Sequence, residues 1–145
     1  MYDRILVPTD GSPAADAAVE HAITIAERFG ATLHALYVID ATAYSSLEAG
    51  SQMVAEALEE EGDAAVDRIA EAAAAADIPV VESVVSGTAY RSILEYADEH
   101  DIDLVVMGTH GRRGIDRYLL GSVTERVVRT ADQPVLTVRL PEEEQ

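Results

Sequence analysis

The stretch Asp103–Thr130, DLVVMGTHGRRGIDRYLLGSVTERVVRT, decides the fold. It opens on a short apolar run, Asp103 to Met107, too short for a helix and rich in branched side chains, which reads as a buried strand. Gly108 and Gly111 then break the pattern. Gly121 and Ser122 stand where a helical spacing begins, and the helix is expected from Ser122 to Arg129. A strand that runs through a glycine loop into a helix is half of a β-α-β unit.

The rest of the chain repeats this alternation. Arg4 to Pro8 (RILVP) is a short strand that stops at Thr9-Asp10-Gly11. Ser12-Pro13 reads as a helix N-cap followed by proline in the first turn, and Gly30 as the end of that helix. Ala17, Ala18, His21, Ala22, Ile25 and Ala26 fall between them at helical spacing. Thr32 to Ile39 is a second strand, and Asp40 to Gly50 has no period and reads as a loop.

A long Ala- and Glu-rich helix follows, with Met53, Ala57, Leu58, Ala65, Ile69, Ala72 and Ala73 on one face. Gly62 is expected to kink or split it. Pro79 to Val85 is a third strand. Thr88 is expected to cap a helix carrying Ile93, Leu94 and Ala97, and Pro134 to Val138 is a fifth strand. Strands alternating with helices, several of them continuously apolar, imply a parallel sheet covered on both faces. The expectation is one doubly wound α/β domain over residues 1–145, with an acidic tail at 141–145.

Composition narrows the function. The chain has 145 residues, a net charge of −17, ten arginines and no lysine, cysteine or tryptophan. Without cysteine there are no disulfides, thiolate nucleophiles or Cys-based zinc sites. The four histidines have no metal-ligand spacing; His21, His34 and His100 read as structural, and His110 lies in the glycine loop. The negative charge disfavours bulk nucleic-acid binding. No apolar run approaches the roughly 18 residues of a membrane span, and Met1 to Arg4 lead straight into a strand without signal-peptide architecture. The expected location is cytoplasmic. The acids are spread along the chain, which suits a salty, halophile-like interior: at about 1 M salt the Debye length is about 3 Å and self-repulsion is largely screened.

Against that background, Gly108 to Thr130 carries five arginines and only two acids, Asp116 and Glu125. Glycines admit close backbone approach, and a helix N-terminus offers unpaired N–H groups with partial positive charge. Together they make an anion site, with phosphate the expected anion. Gly108, Gly111, Gly121 and Ser122 are its expected core, Ser122 adds a hydroxyl, Thr124 is a weaker hydroxyl candidate, and Arg112 or Arg113 a possible direct contact. No Gly-Lys-Ser/Thr follows the glycines and no G-x-G-x-x-G follows the first strand, so the P-loop and the dinucleotide fingerprint are both absent.

Gly108-x2-Gly111-x9-Gly121-Ser122 resembles the ATP-binding motif of the universal stress protein family. The opening ILVPTDGSPAADAAVEHAITIA and the stretch DLVVMGTHGRRGIDRYLLGSVTERVVRTADQPVLTVR resemble that family too, over essentially the whole chain. The resemblance implies a Rossmann-like sheet in the order 3-2-1-4-5 with ATP at its switch point. It implies that the glycines and Ser122, with Val123 beside them, hold the triphosphate, that Asp10 lies near the ribose or a Mg²⁺ ion, and that Val38 and Met107 flank the adenine. Pro8 and Thr9 would shape the base pocket. Each has a plainer alternative: Asp10 as an Asx-turn or an aid to the cap of the first helix, and Val38 and Met107 as core; Tyr44 could cover a ligand from the loop or stand as a surface aromatic. AMP or a cyclic nucleotide would satisfy much of the same chemistry.

The last strand, Val135 to Val138, is expected at the sheet edge, apolar and unprotected. Pairing of two such edges would close a two-fold homodimer, as the resemblance also implies; the alternative is an edge covered by the C-terminal tail. The functional expectation is a nucleotide-binding stress or signalling module acting through conformation or protein partners. A slow ATPase or phosphotransferase and an interaction protein with a vestigial pocket are the alternatives; for hydrolysis the sequence offers only Asp10 and the loop arginines.

Overall fold

The structure, a computed structural model, describes residues 1–40, 51–109 and 121–140. Its elements run β1 (Arg4–Thr9), α1 (Pro13–Phe29), β2 (Thr32–Ile39), α2 (Ser51–Ala75), β3 (Val80–Ser86), α3 (Ala89–Glu99), β4 (Leu104–Gly108), α4 (Ser122–Thr130) and β5 (Val135–Val138). The expected alternation holds throughout. β3 begins and ends one residue later than expected, and β4 extends to Gly108.

All pairings are parallel, and the sheet order is β3-β2-β1-β4-β5. Alternate strand residues feed two cores. Ile5, Val7, Leu33, Ala35 and Val106 pack against Ala18 and Ala22 of α1 and Val66 and Ile69 of α2. Leu6, Leu36, Val105 and Met107 pack against Ile93 and Tyr96 of α3 and Val127 of α4. The result is a doubly wound α/β sheet with two helices on each face.

The local chemistry explains the helix ends. Ser12 caps α1, its Oγ accepting from Ala15 N at 3.3 Å with proline following in the first turn. Gly30 closes α1 in the left-handed region (φ 66°), and Ala31 N donates to Ala26 O, the six-to-one bond of a Schellman cap. The same bond ends α2 (Ile78 N to Ala73 O) and α3 (Ile102 N to Ala97 O), with Asp77 (φ 61°) and Asp101 (φ 51°) doing the left-handed work.

Two expectations are corrected. α2 is continuous through Gly62. A Cβ there would lie 2.8 Å from Tyr37 Cδ1 and 3.1 Å from Val84 Cγ1, so the glycine serves close packing of helix on sheet rather than a kink. Tyr37 is held there by its hydroxyl, which donates to Glu61 Oε1 at 2.8 Å. Thr88 occupies the N-cap position of α3, but its side chain makes no cap bond. Instead Asp40, at the end of β2, accepts from Ala89 N at 3.4 Å.

Candidate functional site

The strand order reverses between β1 and β4. α1 carries the chain from β1 toward β2 on one face, and α4 carries it from β4 toward β5 on the other. The carboxyl ends of β1 and β4, which pair through Ile5–Leu104 and Leu6–Val105, therefore border one crevice. In open α/β sheets this is where ligands bind.

On the β1 side, Pro8 and Thr9 are buried and Asp10 is half-buried. The turn is held by its own side chains: Gly11 N donates to Thr9 Oγ1 and Ser12 N to Asp10 Oδ1, both at 3.0 Å. Asp10 thus forms the Asx-turn that was its plainer reading, at the mouth of the crevice.

On the β4 side the end of the strand and the start of α4 are tied twice. Gly121 N donates to Thr109 O at 2.6 Å, and the buried Thr124 Oγ1 donates to Gly108 O at 2.8 Å. Thr124 therefore spends its only hydroxyl proton inside the fold. Gly108 has a packing role as well: a Cβ would stand 2.8 Å from the Ala14 carbonyl oxygen, so the bare backbone lets α1 cross the strand end.

Gly121 is the N-cap of α4, with extended backbone (φ −64°, ψ 157°) and no side-chain cap bond. The first intrahelical bond is Glu125 N to Gly121 O. The N–H groups of Ser122, Val123 and Thr124 precede it, so none has a partner four residues back. α1 contrasts with this, because Ser12 fills its own N-terminus. Ser122 is exposed and Val123 half-buried. An uncapped helix start held rigidly against a strand end can donate hydrogen bonds to an anion and carries partial positive charge.

Val38 and Met107 lie on the α3/α4 face, at or beside the ends of β2 and β4, Val38 half-buried and Met107 buried within that core. The loop members Gly111, Arg112 and Arg113, with His110 and Tyr44, lie outside the described residues, as do positions 141–145.

The described arginines of α4 have partners. Arg129 Nη2 pairs with Glu125 Oε2 at 3.4 Å, and the Arg126 guanidinium sits 4.6 Å from the centre of the Tyr90 ring. Arg91 donates to the Tyr90 hydroxyl at 3.4 Å. Arg91, by that bond and its charge, and then Arg126 hold the phenol below its usual range. Sequence reading missed this α3–α4 contact, because residues 90 and 126 meet only when the two helices share a face.

A family model described as "Universal stress protein family" matches residues 1–139. The chain belongs to the universal stress protein family. Among its relatives, universal stress protein MJ0531 of Methanocaldococcus jannaschii is 40% identical, over 99% of this chain and 86% of that protein. The solved structure of hypothetical protein MJ0577 superposes with a TM-score of 0.89 at 30% identity, over 99% of each chain. A family member solved in complex with cAMP superposes with a TM-score of 0.74 at 29% identity, covering 97% of this chain and 99% of that one. The family therefore includes a nucleotide complex on this fold. No helix among the described residues is long and apolar enough to cross a membrane.

Proposed function

We propose that this family member is an adenine-nucleotide-binding signalling module, with ATP as its ligand, working as a single domain over residues 1–145. The observation that carries the reading is the glycine-capped start of α4, tied to the end of β4 at the reversal of strand order. The N–H groups of Ser122, Val123 and Thr124, the Ser122 hydroxyl and the backbone of Gly108, Gly111 and Gly121 would hold the phosphates, with Arg112 offsetting the repulsion of an acidic protein. Pro8, Thr9, Val38 and Met107 would bound the base. The cAMP complex of a relative supports the nucleotide class.

Among the described residues no group of three or more His, Asp or Glu side chains could hold a metal ion. Mg²⁺ commonly binds through one or two carboxylates plus phosphate oxygens. The chemistry of Asp10, one carboxylate at the crevice mouth, fits a Mg²⁺ that arrives with the triphosphate and offsets its charge. The working unit is a homodimer through β5, an edge strand whose Val135 and Leu136 are only half-buried in the single chain. The charge of −17 suits a cytoplasm rich in salt.

Calorimetric titration of nucleotide-free protein with ATP–Mg²⁺ in high salt, followed by analysis of the nucleotide, tests the reading. Saturable binding with ATP recovered intact supports it. Steady release of ADP replaces it with an ATPase, and absence of heat overturns nucleotide binding. Sedimentation of the chain truncated before Pro134 tests the dimer: a particle of full dimer size would rule out pairing through β5.

A further inference from the structure

β3 is the other edge of the sheet, and nothing among the described residues pairs with its outer side. It has seven residues against four in β5, and no proline. Pro79 O accepts from Leu33 N and Gly87 N donates to Ile39 O, so the odd-numbered residues of this segment turn their backbone groups toward β2. In a parallel ladder the alternate residues face the other way. Val80, Glu82, Val84 and Ser86 therefore present N–H and C=O groups outward.

Beside that edge, between β3 and α2, lies a groove of about 390 Å³. Ile39, Val66 and Val84 give it apolar surface, two serines of β3 lie beside them, and Glu59, Asp63 and Glu82 make its lining acidic. Desolvation in the groove, then a hydrogen bond with Asp67 and the charges of Asp67 and Asp63, raise the Glu82 carboxyl above its usual range. Like charges are thus crowded on one side of an open strand. A cationic neighbour would relieve that crowding.

We propose that the β3 edge and its groove form a docking site for an extended, basic segment of a partner protein, one that adds a strand to the sheet and carries Arg or Lys at alternate positions. Side chains on one face of the added strand would lay their aliphatic stems over Val66 and Val84 and their charges against Glu82, Asp63 and Asp67. Those on the other face would meet Val81, which is 41% exposed. The matching pattern is basic–apolar–basic. A second copy of this chain is a poor occupant, because two such edges would bring their carboxylates together. This surface involves none of the residues assigned to the nucleotide.

The test is fluorescence anisotropy of the full-length protein with a capped, labelled Arg-Val-Arg-Val-Arg-Val peptide in about 0.15 M salt, where the Debye length is about 8 Å. Saturable one-to-one binding is expected. The double variant Glu82→Gln, Asp67→Asn should weaken it about tenfold. A peptide of the same sequence N-methylated at alternate amides should bind as weakly, which reports strand pairing without altering the protein. Equal binding of a block peptide, Arg-Arg-Arg-Val-Val-Val, would reduce the effect to general attraction by an acidic surface and overturn the proposal. So would unchanged affinity in the double variant or for the methylated peptide, or self-association of the chain lost in the double variant, which would make a second copy the occupant.

Discussion

The Thr124 hydroxyl donates to the Gly108 carbonyl at 2.8 Å, fastening the first turn of α4 to the end of β4. Both groups are buried, so the bond sets where the uncapped helix start points. Replacing Thr124 by Val keeps the shape and leaves the carbonyl unpaired, which costs about 1–3 kcal/mol. Denaturant unfolding should show that loss, and nucleotide affinity should fall with it. Thr124→Ser should recover most of both.

Gly108 and Gly121 belong to one motif but should respond differently. Gly108→Ala places a Cβ 2.8 Å from the Ala14 carbonyl oxygen, a backbone atom with little freedom to move, and should destabilise the fold by about 1–3 kcal/mol. Gly121 has ordinary extended dihedrals. Gly121→Ala should change stability by less than about 1 kcal/mol, while calorimetry shows weakened nucleotide binding. Equal stability losses in the two variants would contradict this division.

Gly62→Ala sets helix propensity against packing. Propensity alone predicts a gain of about 1 kcal/mol. The new methyl would meet Tyr37 Cδ1 at 2.8 Å, on a ring anchored through Glu61, and overpacking of this kind costs about 1–3 kcal/mol. Net destabilisation in thermal unfolding is expected. A stabilised variant would mean that the ring yields.

His34 gives the fold a dependence on pH. Its ring is buried, Nδ1 lies 2.7 Å from the Tyr96 hydroxyl, and His100 stacks on Tyr96. Burial, then the charges of His100 and Arg4, lower its pKa below the ordinary 6.5. On acidification the unfolded chain therefore takes up the proton first. The contribution to stability is whole above about pH 6.5 and is lost as pH falls below it, levelling once the folded-state pKa is passed. His34→Phe should flatten that part of a stability-against-pH curve measured in denaturant.

Asp77 and Asp101 hold left-handed conformations at the ends of α2 and α3, the position that Gly30 fills after α1. A side chain there is strained, and a carboxylate near a helix C-terminus meets the negative end of the dipole. Asp77→Gly and Asp101→Gly should each stabilise by about 0.5–1 kcal/mol, read as a raised denaturation midpoint with an unchanged slope.

The sequence by itself determined the element order and the parallel doubly wound sheet. Those follow from local signals: branched apolar runs as short as LVVMG, Ser12-Pro13 and Gly30 as helix punctuation, and Gly121 before a helical spacing. Only the tertiary structure decided what depends on contacts between distant residues. Gly62 reads as a kink in one dimension and proves to be clearance for Tyr37. Thr88 reads as a cap, but its side chain makes no cap bond, and Asp40, just past the end of β2, accepts from Ala89 N. Thr124 reads as a ligand hydroxyl and proves to be a tie to Gly108. Periodicity and capping act within a few residues, so the chain displays them directly. Close approach and the choice of hydrogen-bond partner arise only when helices settle on the sheet, and no local pattern encodes them.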